Sequence, residues 1–138
     1  MIMSIRQFLG PALVLLAASA QADLVVIAHP GVNVVSLPQS ALSRLFFGQS
    51  AELPNGIKAI AVDVSGPSKD QFNQTVLKKS PQQVDKYWAR MIFTGKANPP
   101  REVKPADVKA VVASTPGAIS YIDKSQLDGS VKVISISQ

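Results

Sequence analysis

Asp63, Ser65, Gly66, Ser68 and Lys69 fall in one short stretch, Asp63-Val64-Ser65-Gly66-Pro67-Ser68-Lys69. An apolar run, Ile57 to Val64, precedes it, and Phe72, Val76 and Leu77 follow as an apolar face. The stretch therefore reads as the passage from a strand into a helix. The first turn of a helix leaves backbone N–H groups unpaired and carries the positive end of the dipole. A glycine there lets an anion approach the backbone, and serine hydroxyls add donors. In open α/β sheets ligands also gather at this carboxyl edge of the strands. The chemistry on offer is recognition of an oxyanion. Lys69 would add positive charge, or would simply be solvated. A plainer reading stays open: Ser65 or Ser68 caps the helix, with Ser68 and Gln71 at capping-box spacing, and Asp63 is a turn residue.

Other residues offer less. His29, the single histidine, ends an apolar strand and reads first as a structural side chain. A lone histidine and no cysteine exclude a thiolate zinc site, an iron–sulfur cluster, a multi-histidine metal site and a cysteine nucleophile. No Gly-x-Ser-x-Gly elbow occurs, so a serine hydrolase is not indicated. Gly95-Lys96 lacks the remaining residues of a nucleotide-binding loop. Trp88, with Val84 and Met91, reads as core. Arg101 and Lys104 flank a proline-rich loop and would either meet a partner or be solvated. Neither a cofactor nor a metal is implied.

The elements that position the turn follow from apolar periodicity. Leu24 to Ala28 is a strand buried on both faces, ended by His29-Pro30-Gly31. Ala41, Leu42, Leu45 and Phe46 make a helical stripe closed by Gly48. Pro54-Asn55-Gly56 turns into the strand Ile57 to Val64. A further helix starts at Ser80-Pro81-Gln82-Gln83, buries Val84, Trp88, Met91 and Ile92, and stops at Gly95. Lys96 to Glu102, with Pro99-Pro100, reads as irregular; Pro105 to Ser114 reads as a short helix. Ala118 to Ile122 and Val131 to Ile136 complete the strands. Strands alternating with helices predict a three-layer α/β domain with a mixed, mostly parallel sheet and helices on both faces.

Residues 1–22 read as a leader instead of fold. Arg6 precedes the apolar run Phe8 to Ala18, and Ala20-Gln21-Ala22 fits a signal-peptidase site. The run is shorter than the roughly 20 residues that span a bilayer. Cleavage after Ala22 would release residues 23–138 as one periplasmic domain with no inserted segment. The chain of 138 residues is 46% hydrophobic and 17% charged, a composition that excludes a disordered polypeptide. Its net charge of +5 comes from scattered basic residues, which does not favour nucleic acid.

Several stretches together resemble the phosphate-binding-protein branch of the class II periplasmic solute-binding proteins. Leu42 to Gly48 is similar to that family's helix ending in Ile-Phe-x-Gly, followed by a turn like Leu53 to Gly56. Ile57 to Phe72 resembles its strand and anion turn, and Pro116 to Ile122 its Pro-Gly-Ala-Ile-Gly-Tyr strand. Tyr87 to Lys96, with Pro99-Pro100, looks like a compact one-lobe group of the same superfamily. The family's anion turn reads Arg-x-Asp-x-Ser-Gly-Thr. Asp63, Ser65 and Gly66 match it, while Ala61 stands at the arginine and Pro67 at the threonine.

The resemblance implies a single lobe of a two-lobed fold, binding phosphate or a related oxyanion through Asp63, Ser65 and Gly66, with Asp63 accepting from a protonated phosphate oxygen that sulfate lacks; at the helix start Ser68 and Lys69 would add donors to the same site. It implies a binder, not an enzyme, accessory to an ABC-type phosphate uptake system. A homodimer, or a membrane transporter or sensor, would supply the missing second surface. The alternative is a lobe without ligand that serves as an interaction module for an envelope receptor, sensor or complex.

Overall fold

The computed structural model describes residues 23–138. The expected leader, residues 1–22, lies outside the described residues. Strands β1 (Leu24–Ala28), β2 (Ser36–Pro38), β3 (Ile60–Val64), β4 (Arg101–Val103), β5 (Ala118–Asp123) and β6 (Lys132–Ser137) form one six-stranded sheet. Helices are α1 (Gln39–Phe46), α2 (Pro67–Thr75), α3 (Pro81–Thr94) and α4 (Val108–Ser114). The strand order is β2-β6-β1-β5-β3-β4. Three neighbours pair parallel (β2 with β6, β3 with β4, β3 with β5), and β1 runs antiparallel to β5 and β6. The mixed, mostly parallel sheet expected from the sequence is present.

Its central strands are apolar because both faces are covered. All five residues from Ala118 to Ile122 are buried, as continuous apolar runs in α/β sheets usually are. Phe72 and Tyr121 stack with ring centroids 3.9 Å apart, and Phe46 lies 4.9 Å from Phe72. This aromatic cluster joins α1 and α2 to β5, directly behind the β3–α2 turn.

Local chemistry moved several boundaries. β3 begins at Ile60, not Ile57, because Leu53 to Ile57 closes a tight turn. There Gly56 N–H donates to Leu53 O and Leu53 N–H to Ile57 O, with Lys58 bridging to Glu52. α2 ends at Thr75, so buried Leu77 follows the helix, and Lys78 turns the chain with φ 62°. α4 begins at Val108; the residues from Pro105 form a turn in which Asp107 N–H reaches Lys104 O. Two edge strands, β2 and β4, were not expected: each has three residues, too few for a period-two pattern. β4 sits at the end of the stretch read as irregular, directly after Pro99-Pro100.

α3 forms as predicted, with a reciprocal capping box between Ser80 and Gln83 and a left-handed Gly95 at its end. Its packing differs from expectation. Val84 alone is buried, Trp88 and Met91 are half-buried, and Ile92 is exposed. The helix leans on the outside of the domain through Phe47, whose ring is 5.1 Å from Tyr87 and 6.2 Å from Trp88. Among the described residues no helix is long and apolar enough to cross a membrane.

Candidate functional site

β3 and β5 pair only at Ile60 with Ala118 and Ala61 with Ile119. Beyond that point side chains of β5 take over the backbone of β3. Buried Ser120 donates its hydroxyl to Val62 O at 2.6 Å. The Tyr121 hydroxyl accepts from Val64 N–H at 3.1 Å and donates to Asp63 Oδ1 at 2.7 Å. On the other side β4 holds β3, and Ser65 N–H closes the strand on Val103 O at 2.9 Å. The carboxyl end of β3 is thereby fixed from two directions.

Asp63 is 7% exposed. Burial raises its carboxyl pKa above the ordinary value of 3.8, against the Tyr121 hydrogen bond and the positive charge of Lys69, which lower it. Burial, then the negative charge of Asp63, push the Tyr121 hydroxyl far above its usual range. Tyr121 therefore stays a neutral donor, and its single proton is committed to Asp63. Asp63 Oδ2 has no hydrogen-bond partner among the described residues.

The turn itself reaches its helix through Gly66, whose φ of 97° and ψ of −165° suit glycine. A Cβ at Gly66 would meet nothing within 4 Å, so the backbone there faces open space. Neither Ser65 nor Ser68 caps α2: Gly66 holds the cap position and no side chain bonds to the first turn. The capping box read from Ser68 and Gln71 is not formed, because Pro67 starts the helix before Ser68. Both serine hydroxyls and the amides of Gly66 and Ser68 make no hydrogen bond among the described residues. The Lys69 amide does not join them, since it donates to Gly66 O at 3.2 Å.

The Lys69 ammonium is also engaged, 2.5 Å from Glu102 on β4. Burial opposes its charge, but the Glu102 hydrogen bond and the nearby Asp63 prevail, and the net shift of its pKa is upward. Lys69 thus contributes a paired charge beside the turn. Ser65, Gly66 and Ser68 offer donors, and Asp63 stands behind them with one free oxygen.

The remaining candidates lie apart from this cluster. His29 Nδ1 accepts from Gly31 N–H at 2.9 Å and shapes its own turn. Arg101 is exposed on β4 opposite Val62, and with Lys104 lines a cleft between β4 and α4. No group of His, Cys, Asp and Glu suited to a metal ion occurs among the described residues. Tyr121 and Ser120 were missed as site residues. The signal was available: polar side chains inside an apolar run are usually bonded to something.

The same arrangement of strands and helices occurs in solved solute-binding proteins. The chain aligns with a protein assigned as a phosphate ABC transporter substrate-binding protein from Clostridium perfringens, solved with bound phosphate. The TM-score is 0.63 at 17% identity, over 83% of this chain and 45% of that one. An ABC-type phosphate transport receptor from Vibrio cholerae aligns at TM-score 0.56 and 16% identity, over 83% of this chain and 46% of the receptor. PstS from Borrelia burgdorferi aligns at TM-score 0.62 and 15% identity, over 85% and 48%. This chain has the fold of phosphate-binding proteins. It spans less than half the length of each of these three chains. No family model matches the sequence, and no curated protein matches it as a relative.

Proposed function

We propose that the chain is an exported, non-enzymatic binding protein for phosphate or a related oxyanion, working beside an ABC-type phosphate transporter in the periplasm. The observation that carries this reading is the set of unpaired donors at the β3–α2 turn, beside a buried carboxylate. The Ser65 and Ser68 hydroxyls and the Gly66 and Ser68 amides would hold the anion, and Asp63 Oδ2 would accept the proton of hydrogen phosphate. The fold shared with the phosphate-binding structures supports it.

One side of an anion on this turn faces water, so each hydrogen bond nets only about 0.5–1.5 kcal/mol. Tight binding therefore needs a second surface, from a homodimer or from a membrane transporter or sensor. The absence of the arginine and threonine at Ala61 and Pro67 favours a second reading, a lobe without ligand that acts as an interaction module.

Calorimetric titration with phosphate and with sulfate separates the two. The binder takes phosphate in preference to sulfate and loses it on Ser65→Ala; no heat with either ion, in folded protein, leaves the interaction module. Export is tested separately: intact mass of periplasmic material should begin at Asp23, and a mass retaining residues 1–22 contradicts cleavage.

A further inference from the structure

A groove of about 450 Å³ runs between α1 and α3, lined by Ser43, Phe47, Gln49, Lys79, Gln83, Lys86, Tyr87 and Arg90. No carboxylate lines it. Lys79, Lys86 and Arg90 belong to no ion pair among the described residues, where the paired lysines are Lys69 and Lys109. Lys86 and Arg90 are four residues apart on α3, a spacing at which like charges face each other and repel. A counter-charge in the groove relieves that repulsion.

The floor is fixed. Tyr87 donates its hydroxyl to Phe47 O at 2.6 Å, and Gln49 Nε2 lies 3.4 Å from the same hydroxyl. This leaves Gln49 Oε1 free to accept. Gln83 spends its carbonyl on the capping box with Ser80 N–H, which leaves its amide nitrogen free to donate. The groove so offers one acceptor and one donor beside its cations. Next to Lys86 and Arg90 on the helix surface stands Phe93, 91% exposed.

We infer that this groove docks an acidic, partly apolar peptide segment of a partner protein. Carboxylates would meet Lys79, Lys86 and Arg90, the peptide backbone would meet Gln49 and Gln83, and an apolar side chain would cover Phe93. A lipid headgroup layer is flat and supplies no backbone amide for Gln49. Nucleic acid binding draws on rows of phosphate contacts, more than this short cluster provides. None of the lining residues belongs to the β3–α2 turn, so the docking site is separate from the oxyanion site.

The test is fluorescence polarisation of a short labelled peptide of glutamate and leucine against the protein, titrated at low and high salt. Binding should weaken with salt, and fall at least about tenfold in the double variant Lys86→Glu, Arg90→Glu. Lys58→Glu, exposed on the 52–58 hairpin, should change it less than about fivefold. Asp63→Asn should leave it unchanged. A neutral pair, Lys86→Gln with Arg90→Gln, replaces the reversed pair if thermal melts show the latter unfolded. Unaltered binding by the groove variants, or an equal loss with Lys58→Glu, overturns the proposal. So does loss of peptide binding in Asp63→Asn, which would place the peptide on the turn. Tighter capture by phosphatidylserine vesicles or by a single-stranded oligonucleotide, abolished by the same groove variants, also overturns it in favour of that surface.

Discussion

At the β3–α2 turn a carboxylate is buried and held by a tyrosine that is itself stacked in the core. Along α3, Lys86 and Arg90, with Lys79 just before the helix, line a groove, and the helix buries only Val84. The first region has its strand end pinned by Ser120 and Tyr121 of β5 and by β4, with the donors of the turn left open. The second has a fixed floor and cations that belong to no ion pair among the described residues, with Arg90 6.0 Å over the Tyr87 ring. The contrast separates two ways of meeting an anion: a preorganised turn selects a small ion by geometry, whereas loosely held lysines accommodate a longer, variable chain. It also says where substitution should hurt folding and where it should not.

The largest difference should appear between two phenylalanines. Phe72 is fully buried against Tyr121 and Phe46, and Phe93 is almost fully exposed. Phe72→Ala should lower stability by about 3–5 kcal/mol, through lost burial and the cavity left behind. Phe93→Ala should change it by less than about 0.5 kcal/mol. Urea denaturation of both variants measures this. Equal losses would mean that α3 is packed as tightly as the core.

A gain of binding comes next. Ala61 is half-buried on β3; positions 61 and 63 share one face of the strand, and Ser65 follows directly after its end. Ala61→Arg should place a guanidinium beside Asp63 and Ser65, where its fork fits a tetrahedral oxyanion. A charge-assisted bond adds about 1.5–3 kcal/mol, so phosphate affinity should rise roughly ten- to 150-fold, less whatever is lost to pairing with Asp63 in the empty site. Adding Ser65→Ala should take part of the gain back. Calorimetry showing no gain in a folded Ala61→Arg protein would move the assignment to the interaction module.

These residues also show what the sequence made legible. The apolar runs around β1, β3 and β5 and the glycine ends of α1 and α3 were readable because each rests on local chemistry. So was the turn that contains Asp63, Ser65, Gly66 and Ser68. What was not readable depends on partners distant in sequence. Ser120 and Tyr121 bond residues 58 and 57 positions away, at Val62 and Val64, and no local pattern announces that. The pairing of Lys69 with Glu102 joins residues 33 apart. The outward face of α3 has a related cause: Trp88, Met91 and Ile92 have core-like spacing, but Trp88 meets Phe47 at the margin of the domain and Ile92 faces outward.

Two tyrosines sharpen the comparison further. Removing the Tyr121 hydroxyl strands both Asp63 Oδ1 and Val64 N–H in the interior, so Tyr121→Phe should cost about 1–3 kcal/mol. It should also push the Asp63 pKa further up, because the one donor lowering it is gone. The Tyr87 hydroxyl serves the Phe47 carbonyl from a half-buried side chain, and Tyr87→Phe should cost about 0.5–1 kcal/mol. Matching urea midpoints for the two variants would remove the distinction between the rigid and the open region.

The smallest effect is a slope with pH. The Asp63 carboxyl has a folded-state pKa above its ordinary 3.8, chiefly because burial disfavours the charge. Between those two values the folded chain holds a proton that the unfolded chain has released. The stability this proton confers is complete below the ordinary value and disappears as pH rises through the folded one. Asp63→Asn keeps an oxygen that accepts from Tyr121 but has no charge to bury. Relative to the parent, the variant should therefore gain stability as pH rises across that window, and hold the gain at neutral pH. Urea midpoints of the two proteins, taken from acid to neutral pH, should diverge; parallel curves would mean that Asp63 is better solvated than its burial indicates. The same variant should lose the preference for phosphate over sulfate, because an amide at that position can donate toward either ion and no longer selects the one that brings a proton. Stability gained together with selectivity lost would mark Asp63 as a residue whose buried charge destabilises the fold while serving recognition.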